Sequence, residues 1–247
     1  MIQYIKEHSS YLKDDSVSPI RGGKSLALEL LDQIDPKIYG ATRNYLEGFV
    51  THLSPYIRHG IISLSQVKET ALKKVEKKHE AEKLIQELTW RWFWQRLYWR
   101  HPEWIWRDVE PYKTGYSKEN YYAVLPKDIE FGHTGVACID TFIEILINTG
   151  YLHNHARLYL AAYVVHFRKV CWQAGAKWFL CHLIDGDPAS NNFSWQWVAS
   201  TFSGKPYFFN LENVRKYAGH TVDTSISKNK CLHGSYQELE LKLFRRQ

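Results

Sequence analysis

Two polar, glycine-bearing loops flank an apolar helical run between residues 147 and 197, and this segment constrains the fold more than any other. The first loop carries Arg157, and the second carries Asp185, Asp187 and Asn191. Carboxylates and amides beside a buried helix cost free energy unless other groups satisfy their hydrogen bonds. A bound polar ligand would satisfy them; alternatively, the Asp and Asn residues only build a turn.

The composition limits the class of protein. With 247 residues, the chain can bury the core of one large domain or of two small ones. Lys and Arg exceed Asp and Glu by 32 − 26 = 6, which permits binding to nucleic acid but also fits an ordinary basic surface. The four cysteines lack zinc spacing, and the string Asp185-x-Asp187 does not continue as a calcium loop, so no metal site is expected. Because no apolar run is long enough to span a membrane and no secretory signal is present, we expect a soluble cytoplasmic protein.

Apolar residues at helical spacing predict several helices. After the turn at Gly22 and Gly23, a leucine-rich stretch predicts a helix that is ended by Asp35 and Pro36. Residues 65–82 predict a charged helix that runs into residues 84–99. In that second part apolar side chains cover nearly every face, so we expect a helix buried on most sides. An apolar stripe predicts a further helix over residues 136–147.

Longer strings resemble a known family. TGYLHNHAR (residues 149–157) and LIDGDPASNNFSWQW (residues 183–197) are similar to the flavin-binding half of the DNA photolyase and cryptochrome family. Similar shorter strings lie at residues 39–63, 87–94, 132–140 and 206–210. The resemblance implies an all-α FAD-binding domain over residues 21–210, between a lead-in at 1–20 and a divergent tail with a short helix at 211–247. The lead-in is too short for the family's antenna domain, so we expect the helical domain to stand alone.

The resemblance also implies roles for particular residues in binding FAD. Arg157 would orient Asp185, Asp187 would lie at the isoalloxazine edge, and Asn191 would lie opposite the reactive nitrogen of that ring. The residues expected to bind the cofactor are Tyr39, Thr51, Leu53, Ser54, Glu87, Arg91, Asn154, Arg157, Asp185, Asp187, Asn191 and Trp195. For Thr51 and Ser54 the alternative is an ordinary helix N-cap.

Four residues are expected to carry the chemistry: Glu87, Trp90, Asn191 and Trp197. By resemblance, Glu87 faces the substrate, while Trp90 and Trp197 form aromatic walls around a flipped-out pyrimidine dimer. An intrahelical ion pair between Glu87 and Arg91, four residues apart, is the alternative for that glutamate. Asp140, in the 132–140 string, is expected to make a structural hydrogen bond near the site.

Ten tryptophans are more than packing alone usually demands. Trp195 and Trp172 resemble the first two members of the family's electron-transfer chain, but Ile129 stands where the third is expected. Photoreduction must therefore be slow or must use another tryptophan. Examples among the ten are Trp99, Trp104 and Trp178.

The expected function is light-driven electron transfer from reduced FAD to a pyrimidine dimer in DNA, single- or double-stranded. Three basic positions on the DNA side differ from the family pattern: His52 and His155 replace arginines, and the 206–210 string lacks one. These differences keep two alternatives open, a cryptochrome-like blue-light sensor and a flavin-binding scaffold without repair activity. The tail at 211–247 would be an interface for a protein partner or a second copy, and in the sensor alternative the flavin redox change would alter it.

Overall fold

The computed structural model describes residues 18–245. This part of the chain contains twelve α-helices, and between the helices it contains a single isolated β-bridge, which joins Tyr122 and Val170. The all-α expectation is thereby confirmed. The helices are α1 (Lys24–Asp32), α2 (Pro36–Thr42), α3 (Ser54–Arg58), α4 (Leu64–Lys73), α5 (Glu82–Arg100), α6 (Lys127–Glu130), α7 (Ala137–Thr149), α8 (Asn154–Ala162), α9 (Trp172–His182), α10 (Pro188–Ala199), α11 (Leu211–Ala218) and α12 (Tyr236–Leu243). None of the helices in this part of the chain is both long and apolar enough to cross a membrane.

Local capping sets the first helix boundaries. The dipeptide predicted to end α1 instead begins α2: the Asp35 side chain accepts a hydrogen bond from the Ile38 N–H at 2.9 Å, and Pro36 occupies the first turn. α4 begins with a capping box between Ser63 and Gln66. The predicted charged helix over residues 65–82 is interrupted, because α4 ends at Lys73 and α5 begins only after a 3₁₀ turn.

Two hydrophobic clusters form the core. The smaller cluster joins α1, α4 and the start of α5 through residues such as Ala27, Val67 and Leu84. The larger cluster is built from α7 to α11. The helix predicted over residues 136–147 is α7, and its apolar stripe is fully buried: Ile139, Phe142, Ile143 and Leu146.

The expectation that residues 84–99 form a helix buried on most sides is wrong. Only Leu84 is buried in α5, whereas the Trp92 and Trp99 side chains are 55% and 75% exposed. One face of α5 packs against α2, α4 and α10, and the opposite face is open to solvent. An all-round apolar composition therefore does not mean burial here, since it reflects two apolar faces of which only one is covered.

The segment that follows residue 210 belongs to the same core as the helices before it. Leu211, Val214 and Leu232 are buried in the larger cluster, and the Asn229 side chain accepts a hydrogen bond from the Cys138 N–H at 3.1 Å. Although the sequence of this segment diverges from the family pattern, its residues pack into the same hydrophobic core. Most of the expected lead-in at 1–20 lies outside the described residues.

Candidate cofactor and substrate cavity

A cavity of about 300 Å³ lies where the two hydrophobic clusters meet, with α5 on one side and α10 on the other. Eleven of the twelve expected cofactor residues line it: Tyr39, Thr51, Ser54, Glu87, Arg91, Asn154, Arg157, Asp185, Asp187, Asn191 and Trp195. The twelfth, Leu53, is instead buried in the smaller cluster. The structure therefore brings together residues that are up to 156 positions apart in the sequence, from Tyr39 to Trp195.

The two polar loops are joined directly to one another. The Ile184 N–H donates to the Gly150 carbonyl at 2.8 Å. Gly150 ends α7 with a φ of 68°, and a Cβ at this position would lie 2.7 Å from Ile184 Cγ2, so only glycine fits. On the other side, Arg58 of α3 donates to the Gly186 carbonyl at 2.6 Å. These contacts fix the loop that carries Asp185.

Asp185 is a buried carboxylate with one free oxygen. Its Oδ2 accepts a hydrogen bond from Arg157 Nη2 at 2.9 Å, and Arg157 Nε donates to the Leu152 carbonyl at 2.7 Å. The Asp185 side chain is only 3% exposed, yet Oδ1 has no hydrogen-bond partner among the residues described. A buried acceptor of this kind calls for a donor from a ligand or from water.

Asp187 and Asn191 also have structural contacts. Asp187 is the N-cap of α10, where its Oδ2 accepts from the Ser190 N–H at 3.0 Å, so the turn-building interpretation describes part of its role. Its Oδ1 accepts from Gln95 Nε2 at 2.6 Å, which ties α10 to α5. Asn191 donates from Nδ2 to the Ala176 carbonyl at 3.1 Å. Thr51 and Ser54, by contrast, do not cap α3, whose N-cap is Leu53 without a side-chain hydrogen bond.

Glu87 pairs with a residue to which the sequence assigned no role. Its Oε1 lies 2.7 Å from Arg43 Nη1, so the intrahelical pair with Arg91, the alternative considered for this glutamate, is not formed. Arg43 is the C-cap of α2, directly beside Glu87 of α5. The sequence signal that could have identified Arg43 is that it follows Tyr39 by four residues on one helix. Burial raises the pKa of Tyr39 to about 12.

Arg91 is a half-buried cation at the cavity wall. It makes no ion pair with any residue that the structure describes, and burial lowers its pKa, an effect that the charges of Asp187 and Asp185 oppose. Because an unpaired guanidinium inside a protein is costly, the site favours an anionic ligand near this group.

Three histidines, of which His52 lines the cavity, are held as neutral groups. Burial lowers the pKa of His52 and of His155, and it lowers that of His153 to about 4, helped by the neighbouring charges of His155 and Arg157. The His155 ring is fixed by a 2.7 Å hydrogen bond to the Asn44 carbonyl. Near neutral pH these positions therefore do not supply the positive charge of the arginines that the family pattern has there.

Trp195 lines the cavity, and two further tryptophans lie on or beside α9. Trp195 packs against Gly175 of α9, and Trp172, at the start of α9, is fully buried. The ring that stacks on Trp172 is Trp106, at a centroid distance of 6.4 Å and an interplanar angle of 2°. Trp106 is 38% exposed and was not one of the examples named from the sequence, whereas Ile129 is fully buried.

The predicted pair of aromatic walls is only half present in the cavity. Trp90 lines the cavity and its indole is about half exposed. Trp197 lines a separate depression, where its ring lies 5.5 Å from that of Tyr207. The physical reason is that residues two apart on a helix point in opposite directions, so Trp195 and Trp197 of α10 cannot both face the same side. Asp140 does make the expected structural hydrogen bonds, from the N–H and hydroxyl of Thr134.

Comparison with known proteins identifies relatives of this domain. A family model for the FAD binding domain of DNA photolyase matches residues 84–226. The deoxyribodipyrimidine photo-lyase of Agrobacterium fabrum is 28% identical over 204 residues, covering 74% of this chain and 40% of that protein. The corresponding protein of Buchnera aphidicola is 33% identical over 172 residues, covering 65% of this chain and 34% of that protein. The chain thus spans well under half the length of these relatives.

A solved structure shares the fold at similar identity. The class III photolyase of Agrobacterium tumefaciens superposes with a TM-score of 0.66 at 27% identity, covering 80% of this chain and 43% of that chain. Both comparisons by sequence and by structure therefore match the same helical domain.

Proposed function

This chain belongs to the DNA photolyase family and carries its FAD-binding domain, and from that premise we propose that it uses FAD and blue light to split pyrimidine dimers in DNA. One observation carries the proposal: Glu87 and Trp90, the residues expected to meet the dimer, line the same cavity as Asp185 and Asn191, the residues expected to meet the cofactor. Substrate and cofactor would therefore be held side by side in one enclosed site.

The polar groups of the cavity fit FAD. Asp185 Oδ1 and Ser190 Oγ are buried without a partner among the described residues, and Arg91 is a half-buried cation without an ion pair. A flavin offers an imide N–H and ribityl hydroxyls to such acceptors, and its diphosphate offers anionic oxygens to a guanidinium. The polar groups of the cavity thus match both the neutral and the charged parts of the cofactor.

The bound FAD would supply a light-absorbing electron donor, and the protein would supply binding and orientation. Arg157 holds the Asp185 carboxylate in one orientation, so its free oxygen is fixed before the cofactor arrives. Asn191 is similarly fixed by its bond to the Ala176 carbonyl. This preorganisation lowers the entropic cost of binding.

On the substrate side, Glu87 and Trp90 act together. Arg43 holds Glu87 through a 2.7 Å contact, which keeps the carboxylate at the cavity wall as a hydrogen-bond acceptor. The half-exposed indole of Trp90 offers a flat face on which a base outside the duplex can stack. Since base stacking and hydrogen bonding are both available only to an extruded base, the site favours damaged positions that leave the stack easily.

The test is dimer repair under blue light. Holoprotein carrying reduced FAD is illuminated with oligonucleotides that contain a pyrimidine dimer, single- and double-stranded in parallel, and dimer loss is followed against a dark control. Glu87→Gln should reduce the rate by about tenfold or more, because it removes a charged hydrogen-bond acceptor. Glu103→Gln, at an exposed carboxylate just after α5, is the matched control and should leave the rate unchanged. Absence of light-dependent dimer loss in FAD-loaded wild type would contradict repair and leave FAD binding intact.

A light-driven redox sensor is the second candidate. The neutral imidazoles of His52 and His155, where arginines would attract a phosphate chain, favour it. A sensor would show reversible light-dependent flavin absorbance changes without affinity for dimer-containing DNA. Tight, light-independent binding of that DNA would argue against this alternative.

A further inference from the structure

The outer face of α5 carries exposed aromatic rings together with cations that have no counter-charge. Trp92 and Trp99 are 55% and 75% exposed, and the Arg96 guanidinium lies over both rings, 5.8 and 5.2 Å from their centroids. Arg100, which ends the helix, is also exposed. Neither arginine makes an ion pair with a carboxylate of residues 18–245, and Glu103, three residues after Arg100, contacts a histidine instead. Flat rings and free guanidinium groups thus share one surface.

The two arginines continue the line of a groove along the helix. Thr89, Phe93, Arg96 and Arg100 follow one another at three- and four-residue spacing, so they lie on one side of α5. Thr89 and Phe93 line an apolar groove between the first half of α5 and the segment before it. The groove therefore points along the helix towards the two free guanidinium groups.

Positive charge prevails along this side of the helix. Glu82 is the only carboxylate among the residues that line the groove, and Lys78 lines the same groove. Both side chains are exposed, and their charges offset one another. Arg96 and Arg100 have no such compensation, so the second half of the face attracts anionic groups.

A single indole separates the groove from the cavity. Trp90 lines both of them. Its ring packs edge-on against Phe93 of the groove at a centroid distance of 5.7 Å, and it stacks on Trp94 of the cavity at 5.4 Å. A strand whose extruded base meets Trp90 from the cavity side would therefore have its next nucleotides beside the groove.

We propose that the outer face of α5 holds an unpaired stretch of DNA next to the dimer, so that the preferred substrate of this chain is single-stranded; this inference rests on the proposed function. Bases stack on Phe93, Trp92 and Trp99, while Arg96 and Arg100 meet the phosphates. Trp92 and Trp99 are seven residues apart, about 10.5 Å along the helix, so they serve different nucleotides. A duplex cannot use the face in this way, because its bases are already stacked on one another.

The charges favour a nucleic-acid strand over a second copy of this chain. A two-fold contact of this face with itself requires opposite charges on the face, but Arg96 and Arg100 find no matching carboxylates there. A strand instead supplies one negative phosphate for each nucleotide, which meets both cations.

The first measurement is the binding of undamaged DNA to the full chain in the dark. Fluorescence anisotropy follows a labelled strand of about sixteen thymidines, alone and paired with its complement. The single strand should bind at least tenfold more tightly than the duplex at the same salt concentration. Trp92→Ala and Trp99→Ala should each weaken single-strand binding by about tenfold, because each removes a stacking ring. Tyr122→Ala, at an aromatic residue elsewhere that is 68% exposed, is the matched control and should not.

The second measurement assigns the arginines through the salt dependence of the same affinity. Arg96→Gln and Arg100→Gln should each reduce the slope of log affinity against log salt concentration by about 0.7, the value for one phosphate contact in a single strand. Lys230→Gln, at an exposed cation after α11, is the matched control and should leave the slope unchanged. Urea unfolding verifies that each variant is as stable as the wild type.

The outcomes separate this inference from the repair proposal. Since the DNA carries no dimer and no light is used, a chain without repair activity would still show the expected binding. Equal affinity for single strand and duplex, or single-strand affinity that is insensitive to Trp92→Ala and Trp99→Ala, would overturn the inference. If Trp99→Ala converted a sedimenting dimer to a monomer without changing DNA affinity, the face would belong to a second copy and the inference would be wrong.

Discussion

The ion pair between Arg157 and Asp185 determines the polar geometry of the cavity at the scale of single residues. Because Asp185 is only 3% exposed, Arg157→Ala would leave a buried carboxylate without its counter-charge. Removing one partner of a buried pair costs about 3 kcal/mol, so we expect a comparable fall in the free energy of unfolding and a loss of FAD. Urea unfolding of the apoprotein and titration with FAD measure the two effects.

A surface ion pair provides the control for this prediction. Arg168 and Asp128 are joined at 2.8 Å but are both partly exposed, so Arg168→Ala should cost only about 0–1 kcal/mol. If both variants lost the same stability, or if Arg157→Ala kept wild-type FAD affinity, the proposed role of the buried pair would be contradicted.

His166 should make the stability of the protein depend on pH. It is fully buried, and burial lowers its pKa from 6.5 to about 4. Between these values the unfolded chain binds a proton that the folded chain does not, so stability is complete above about pH 6.5 and falls as the pH drops towards 4. A shift of this size corresponds to about 3 kcal/mol. The free energy of unfolding measured from pH 7 to pH 4 checks the direction.

His166→Gln separates this residue from the other histidines. Glutamine can still donate a hydrogen bond to the Val198 carbonyl, which His166 Nε2 contacts at 2.9 Å, but it does not titrate. The variant should therefore lose part of the pH dependence and keep the part due to His153. Identical pH profiles for the variant and the wild type would rule out His166 as a source.

At the scale of elements, the packing of α9 against α10 depends on a glycine. A Cβ at Gly175 would lie 2.3 Å from Trp195 Cη2, and Trp195 is buried and cannot swing away. Gly175→Ala should therefore cost about 1–3 kcal/mol through overpacking and should displace the ring from the cavity wall. Gly40→Ala, in the middle of α2 with its nearest neighbour at 3.6 Å, should instead stabilise the protein by about 0.5–1 kcal/mol. Urea unfolding measures the stability of both variants. Equal effects would contradict the close packing of Trp195 against Gly175.

The two longest helices of the described chain, α5 and α7, show what sequence patterns can and cannot determine. In α7 the apolar residues at three- and four-residue spacing form one continuous stripe, so its buried side follows from the spacing, although Ile145 and Ile147 outside the stripe are partly exposed. In α5 apolar residues occur all round, and the pattern cannot tell a covered face from an exposed one. Likewise, Glu87 has a possible partner at helical spacing in Arg91, but its actual partner, Arg43, comes from α2 and depends on how two elements pack.

At the scale of the whole molecule, the residues of the cavity were recognisable because they form continuous strings, while contacts that involve residues outside those strings were not. The pair of Asp185 with Arg157 was predicted, whereas the contact of Asp187 with Gln95 joins helices 92 positions apart and carries no local signal. The same holds for Trp106, which lies in a connector without clear periodicity and meets Trp172 only through the fold.

The path from the cavity to the surface leads to a prediction about photoreduction. Trp195 lines the cavity and packs against Gly175 of α9, Trp172 lies three residues earlier on that helix, and the Trp106 ring stacks on Trp172 and is partly exposed. With Ile129 in place of a tryptophan, Trp106 is the ring in contact with Trp172 that also reaches solvent. Trp106→Phe should therefore slow the light-driven reduction of bound FAD by an external reductant several-fold, because the outer ring becomes harder to oxidise. Trp104→Phe, whose ring stacks on His101 at 4.0 Å instead, is the matched control. The loss of oxidised-flavin absorbance under blue light measures the rate. An unchanged rate in Trp106→Phe would mean that electrons reach FAD from the surface by another route.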